Sequence, residues 1–219
     1  REPSPSDSGR LFESYRNHAA EIAQKTVDFK PIETIIVSGL PRSGTSLTMQ
    51  MLRAAGVSVL TDHQRAADSD NPEGYLEWER IKSLPQDPEV IREADGMAVK
   101  VVSPLLRHLP PGHRIRVIFL HRPIDEVLAS QKRMLANQGR PEEPEDARLR
   151  RTMLEHQKSV MSALLQTPNA ETLIVSYPEL VANPLGCSEK IAAFLKPMVE
   201  LDPHLMAAAV KPDLHRNRS

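Results

Sequence analysis

The chain has 219 residues, one cysteine, 40% hydrophobic and 26% charged residues, and a formal net charge of −1. That length suits one domain with a sizeable core. A near-neutral chain has no global field to attract nucleic acid or an anionic membrane, so any anion site must be built locally. A single cysteine excludes an internal disulfide, and no apolar run approaches the roughly 20 residues of a membrane span. With no signal-peptide pattern, the expected location is the cytoplasm.

Residues 1–10 are polar, with two prolines and three serines, and read as a tail or linker. Residues 11–219 are expected to form a single domain, with residues 11–25 as a short packing helix. Ile35-Ile36-Val37-Ser38 is an apolar run that feeds the loop Gly39-Leu40-Pro41-Arg42-Ser43-Gly44-Thr45-Ser46. Leu47, Met51, Leu52 and Ala55 then share one helical face, and Gly56 stops it. Strand, glycine-bracketed loop and helix together make an anion cradle from backbone N–H groups and a helix N-terminus.

Gly39 and Gly44 fit the start of G-x-x-x-x-G-K-[ST], but Thr45 stands where the lysine belongs. A nucleotide kinase also wants a carboxylate at the end of a neighbouring strand to hold magnesium. The best later strand runs instead into His121-Arg122. A phosphate-containing ligand handled without a metal is therefore expected.

Val57-Ser58-Val59-Leu60 reads as a second strand. Residues 61–75 form a long irregular stretch, a length that is often functional. Ala98-Val99-Lys100-Val101-Val102 is a strand, with Lys100 expected to face solvent. Ile115-Arg116-Val117-Ile118-Phe119-Leu120 reads as a strand covered on both faces.

Pro123, Asp125 and Glu126 open a helix that Gly139 closes. Ser130 follows Arg122 by eight positions, about two turns along that helix. An arginine and a hydroxyl so spaced can share one anion. Residues 137–146 form a polar connection. Leu149, Met153, Val160 and Leu164 mark an amphipathic helix, with Arg148, Arg150, Arg151 and Lys158 on its wet side. Thr172 to Tyr177 reads as a buried strand, and another helix runs through Phe194. Alternating strands and helices predict an α/β fold: a P-loop-type parallel sheet with helices on both faces. Its ligand should lie at the carboxyl ends of the strands, where Gly39, His121 and Tyr177 fall.

The G-L-P-R-S-G-T-S loop resembles the 5′-phosphosulfate loop of sulfotransferases that use 3′-phosphoadenosine-5′-phosphosulfate (PAPS). It has the arginine form of the tyrosylprotein and many bacterial enzymes. Arg122 with Ser130 resembles their 3′-phosphate motif. Asn71-Pro72-Glu73-Gly74-Tyr75-Leu76-Glu77 resembles a bacterial N-P-x-G-Y-x-E segment. Tyr177 opens a segment similar to Y-E-D-L-V, and Val210-Lys211-Pro212 is similar to a late lysine loop. The resemblance implies PAPS as co-substrate and no metal. Arg42, Ser43, Gly44, Thr45 and Ser46 would hold the 5′-phosphate end. Arg122, Ser130 and Lys211 would hold the 3′-phosphate, and Tyr177 would lie near the adenosine.

The resemblance further implies that Arg42 neutralises the leaving group and that a His or Glu serves as base. Glu77 and His63 are the candidates. The acceptor stays open among small molecule, sugar and peptide. The rival expectations are a catalytically inactive nucleotide-binding domain of the same fold and a P-loop small-molecule kinase.

Overall fold

Four parallel strands form the frame of the computed structural model: β1 (Thr34–Gly39), β2 (Ala98–Val102), β3 (Ile115–His121) and β4 (Ala170–Ser176), in the order β2-β1-β3-β4. The structure describes residues 33–211 apart from 63, 65–67, 69–70, 72–73, 138, 140–146 and 167–168. The expected tail, the expected helix over residues 11–25, and His63 lie outside the described residues.

Parallel strands need crossovers, and these supply the helices. They are α1 (Thr45–Ala54), α2 (Ile124–Asn137), α3 (Ala147–Leu165), α4 (Tyr177–Ala182), α5 (Pro184–Leu195) and α6 (Pro203–Ala208). Three 3₁₀ segments, Glu79–Ser83, Pro88–Ala94 and Ser103–His108, flank β2 in the chain.

Side chains alternate across each strand. Ile35, Val37, Ile118 and Leu120 therefore face one layer, where Met51, Leu52, Ile191 and Met206 from α1, α5 and α6 meet them. Ile36, Val99, Val117 and Phe119 face the other, against Ile81 and Ile91 of the 3₁₀ segments, Leu84 just after the first segment, and Leu164 of α3. Two apolar layers around one sheet are what continuous apolar strands such as β3 require.

Several expectations need correction. Residues 57–60 are not a full strand: Val59 makes one isolated parallel bridge to Ala98, flanked by two backbone bonds. β4 is an edge strand, with Ile174 exposed and Val175 buried. Tyr177 belongs to α4 rather than to β4, because Ser176 caps that helix by accepting from Glu179 N–H. Leu149 lies on the exposed side of α3. Lys100 is buried, for reasons that belong to the site.

Candidate functional site

β1 branches to β2 on one side and to β3 on the other, so a crevice opens at its carboxyl end. A cleft of about 590 Å³ lies there, within the usual range for a ligand pocket. One half is built by the loop after β1, the start of α1 and α2. The other half is built by β2 and the segment around Tyr75–Glu79.

The loop is held tightly. A Cβ on Gly39 would collide with Ser43 Oγ and stand 2.7 Å from the Leu120 carbonyl. Gly44, at φ 102, packs directly under the Tyr177 ring and caps α1. Arg42 lies in the left-handed region at φ 69, a conformation that costs a non-glycine residue about 1–3 kcal/mol unless neighbours hold it. Arg122 is that neighbour: its Nη1 donates to the Arg42 carbonyl at 2.9 Å. Its Nε donates to Glu126 at 3.0 Å, and its guanidinium lies 4.3 Å from the centre of the Tyr177 ring. Burial pushes the Tyr177 phenol up, partly offset by Arg122, so it stays neutral. Gly44, Tyr177, Arg122 and Arg42 thus form one stacked support.

The Arg42 side chain crosses to α2. Its Nε donates to Ser130 Oγ at 3.1 Å, and Nη1 lies 3.8 Å from Met134 Sδ. Arg42, Gly44, Thr45, Ser46, Arg122, Ser130 and Tyr177 therefore share one cleft wall. Ser43 does not line it. Its amide donates to Leu40 O at 3.1 Å, and its buried hydroxyl has no partner among the described residues. Lys211 is exposed and lies outside the cleft.

Glu77 lines the opposite half. Its carbonyl accepts from Thr61 Oγ1 at 3.0 Å and from Asp62 N–H at 3.2 Å. Gln50 of α1 fixes the approach by donating to Gly74 O at 3.2 Å and to Asn71 Oδ1 at 3.4 Å. Leu76, at φ 50, turns the chain sharply before Glu77.

Lys100 joins the two halves. Strand alternation turns it toward the α1 layer, opposite to Val99 and Val101. Its Nζ donates to Ser46 Oγ at 2.9 Å and to the Tyr75 carbonyl, and lies 3.5 Å from Glu77 Oε1. A buried ammonium needs such partners. The only sequence sign of this was a lysine inside an otherwise apolar strand.

The site thus gathers Arg42, Arg122 and Lys100, hydroxyls and a helix N-terminus around one cleft, with Glu77 beside Lys100. Among the described residues no cluster of His, Cys, Asp or Glu could hold a metal ion. No helix among them is long and apolar enough to cross a membrane.

A family model described as "Sulfotransferase domain" matches residues 33–206. Among curated proteins no match is found. The chain is also similar to a solved structure, "Sulfotransferase Domain from the Curacin Biosynthetic Pathway", at 15% identity and a TM-score of 0.44, over 84% of this chain and 89% of that one.

Proposed function

The chain belongs to the sulfotransferase domain family, and from that membership we propose that it moves a sulfuryl group from PAPS to an acceptor hydroxyl or amine. The product nucleotide would be 3′,5′-adenosine bisphosphate. The observation that carries this reading is the convergence of Arg42, Arg122 and Ser130 with the N-terminus of α1 in one cleft. The collision of a Cβ on Gly39 or Gly44 with its surroundings supports a loop shaped for close ligand approach.

When bound, PAPS supplies the sulfuryl group and its own leaving group. The amides at the start of α1, with the Thr45 and Ser46 hydroxyls, hold the 5′-phosphate end. Arg122 and Ser130 would hold the 3′-phosphate, and Tyr177 would lie near the adenosine. Arg42, which reaches from the loop to Ser130, would offset charge that develops on the leaving oxygen. Glu77 takes the proton from the acceptor. Lys100, donating to Ser46 and facing Glu77, orients that carboxylate toward the loop. The domain is taken as residues 11–219, with the tail outside it.

The test is ligand-induced thermal stabilisation. 3′,5′-Adenosine bisphosphate at a hundred times its Kd should stabilise the chain by about 2.7 kcal/mol without magnesium, whereas Mg–ATP should not. Stabilisation by Mg–ATP alone would favour the kinase reading. Bisphosphate binding with no turnover on any acceptor would favour an inactive nucleotide-binding domain.

A further inference from the structure

We propose that the acceptor is a small alcohol with an uncharged aliphatic body, seated on an apolar wall next to Lys100 and Glu77. This rests on the sulfotransferase reading of the cleft. Lys100 and Val102 lie two positions apart on β2, so both face the same side, about 6–7 Å apart along the strand. Val102 also pairs with Gly39, the residue that opens the phosphate loop. A molecule whose hydroxyl reaches Glu77 and the loop must therefore pass over Val102. That side chain is 45% exposed, and of the exposed large apolar side chains among the described residues it is the one lining the cleft.

The lining of the same cleft adds apolar side chains from other segments. The 3₁₀ segments contribute Ile81 and Leu105, Trp78 precedes the first of them, and α3 contributes Met153. One exposed valine alone signals nothing. Five apolar side chains from four separate segments line the cleft that Glu77 also lines, and together they make a built wall.

The two lysines nearby are already engaged. Lys100 is taken by Ser46, Tyr75 O and Glu77, and Lys82 at the rim pairs with Glu79. A sugar would bury hydroxyls against carbon on this wall, which is unfavourable unless each finds a partner. An alkyl chain would gain from every methylene.

The experiment uses straight-chain primary alcohols from butanol to decanol, with methyl glucoside as the hydrophilic arm. Binding is read by thermal shift in the presence of 3′,5′-adenosine bisphosphate, and turnover is read with PAPS. The expected result is a gain in apparent affinity of about fourfold per methylene until the wall is covered. Val102→Asn should weaken the longer alcohols about tenfold, and butanol far less. The shift given by the bisphosphate alone should stay intact in that variant. A flat chain-length series, or a preference for methyl glucoside, with the bisphosphate still binding, overturns the acceptor class and leaves the sulfotransferase reading standing. Nucleotide binding with no alcohol bound or sulfated also overturns it. Failure of the bisphosphate to bind removes the sulfotransferase reading itself.

Discussion

Arg42 carries two kinds of information at once. Its backbone is in the left-handed region, and its guanidinium rests on Ser130. The loop amides and Arg122 remain when its side chain is removed, so ground-state nucleotide binding should survive better than rate. Arg42→Ala is expected to lower kcat by about 10²–10³-fold, with a smaller rise in the bisphosphate Kd. Single-turnover kinetics beside a binding titration would check this; an unchanged kcat would remove Arg42 from the leaving-group role. Arg42, Arg122 and Ser130 were legible because a glycine-bracketed loop and a fixed interval along a helix are local patterns. Lys100 was not, because its partners Ser46, Tyr75 and Glu77 are distant in sequence and only the fold brings them to Nζ. Ser43 sits inside the motif, yet its amide turns back to Leu40, a detail of loop geometry that spacing does not encode.

The segments themselves divide in the same way. β1, β2, β3 and α1 were readable from apolar runs and helical periodicity. The 3₁₀ segments were not, since each turn is short and lacks an amphipathic repeat. They nevertheless shape both ends of the sheet. Pro88–Ala94 leads into Asp95, and the two meet His113, which is buried before β3. His113 Nε2 lies 2.9 Å from Thr34 Oγ1 and 3.1 Å from Asp95 Oδ1, while Arg92 Nη1 lies 3.3 Å from Nδ1. Glu89 of the same segment adds its charge nearby. Burial lowers the His113 pKa; Asp95 opposes that effect and Arg92 adds to it. The neutral ring fits this set, donating at Nε2 and accepting from Arg92 at Nδ1. Because the folded pKa lies below the unfolded value of about 6.5, the unfolded chain takes up more protons as pH falls. Stability from this site is thus intact above about pH 6.5 and is lost as pH drops through the folded pKa. Wild type should lose more stability than His113→Gln between pH 7.5 and 5.5, measured by urea unfolding. Parallel losses in the two proteins would show that His113 does not report on acid.

Among the described residues, the buried charged side chains lie at two opposite ends of one sheet. The cleft lies at the carboxyl ends of the strands. At their amino ends, buried Arg116 of β3 donates to Glu33 Oε2 at 2.8 Å and to Glu171 Oε1 at 3.0 Å. It also reaches the Phe194 carbonyl at 2.9 Å and lies 5.4 Å from the centre of the Phe194 ring. One arginine thereby ties β3, β4, α5 and the residue leading into β1 together. Removing one partner of a buried pair costs about 3–5 kcal/mol, because it strands the other charge. Arg114 still reaches Glu33 at 3.0 Å, which argues for the lower figure. Arg116→Met is therefore expected to lower Tm by about 6–12 °C, since each kcal/mol moves a domain of this size by about 2–4 °C. Adding Glu33→Gln should restore part of that loss, as the stranded carboxylate is gone. The cleft lies beyond the reach of this cluster, so the added stabilisation from 3′,5′-adenosine bisphosphate should be the same in Arg116→Met as in wild type. Thermal unfolding with and without the bisphosphate measures both quantities together. An unchanged Tm would mean that the cluster does not hold the strands. A lost nucleotide shift would mean that the two ends of the sheet are coupled rather than independent.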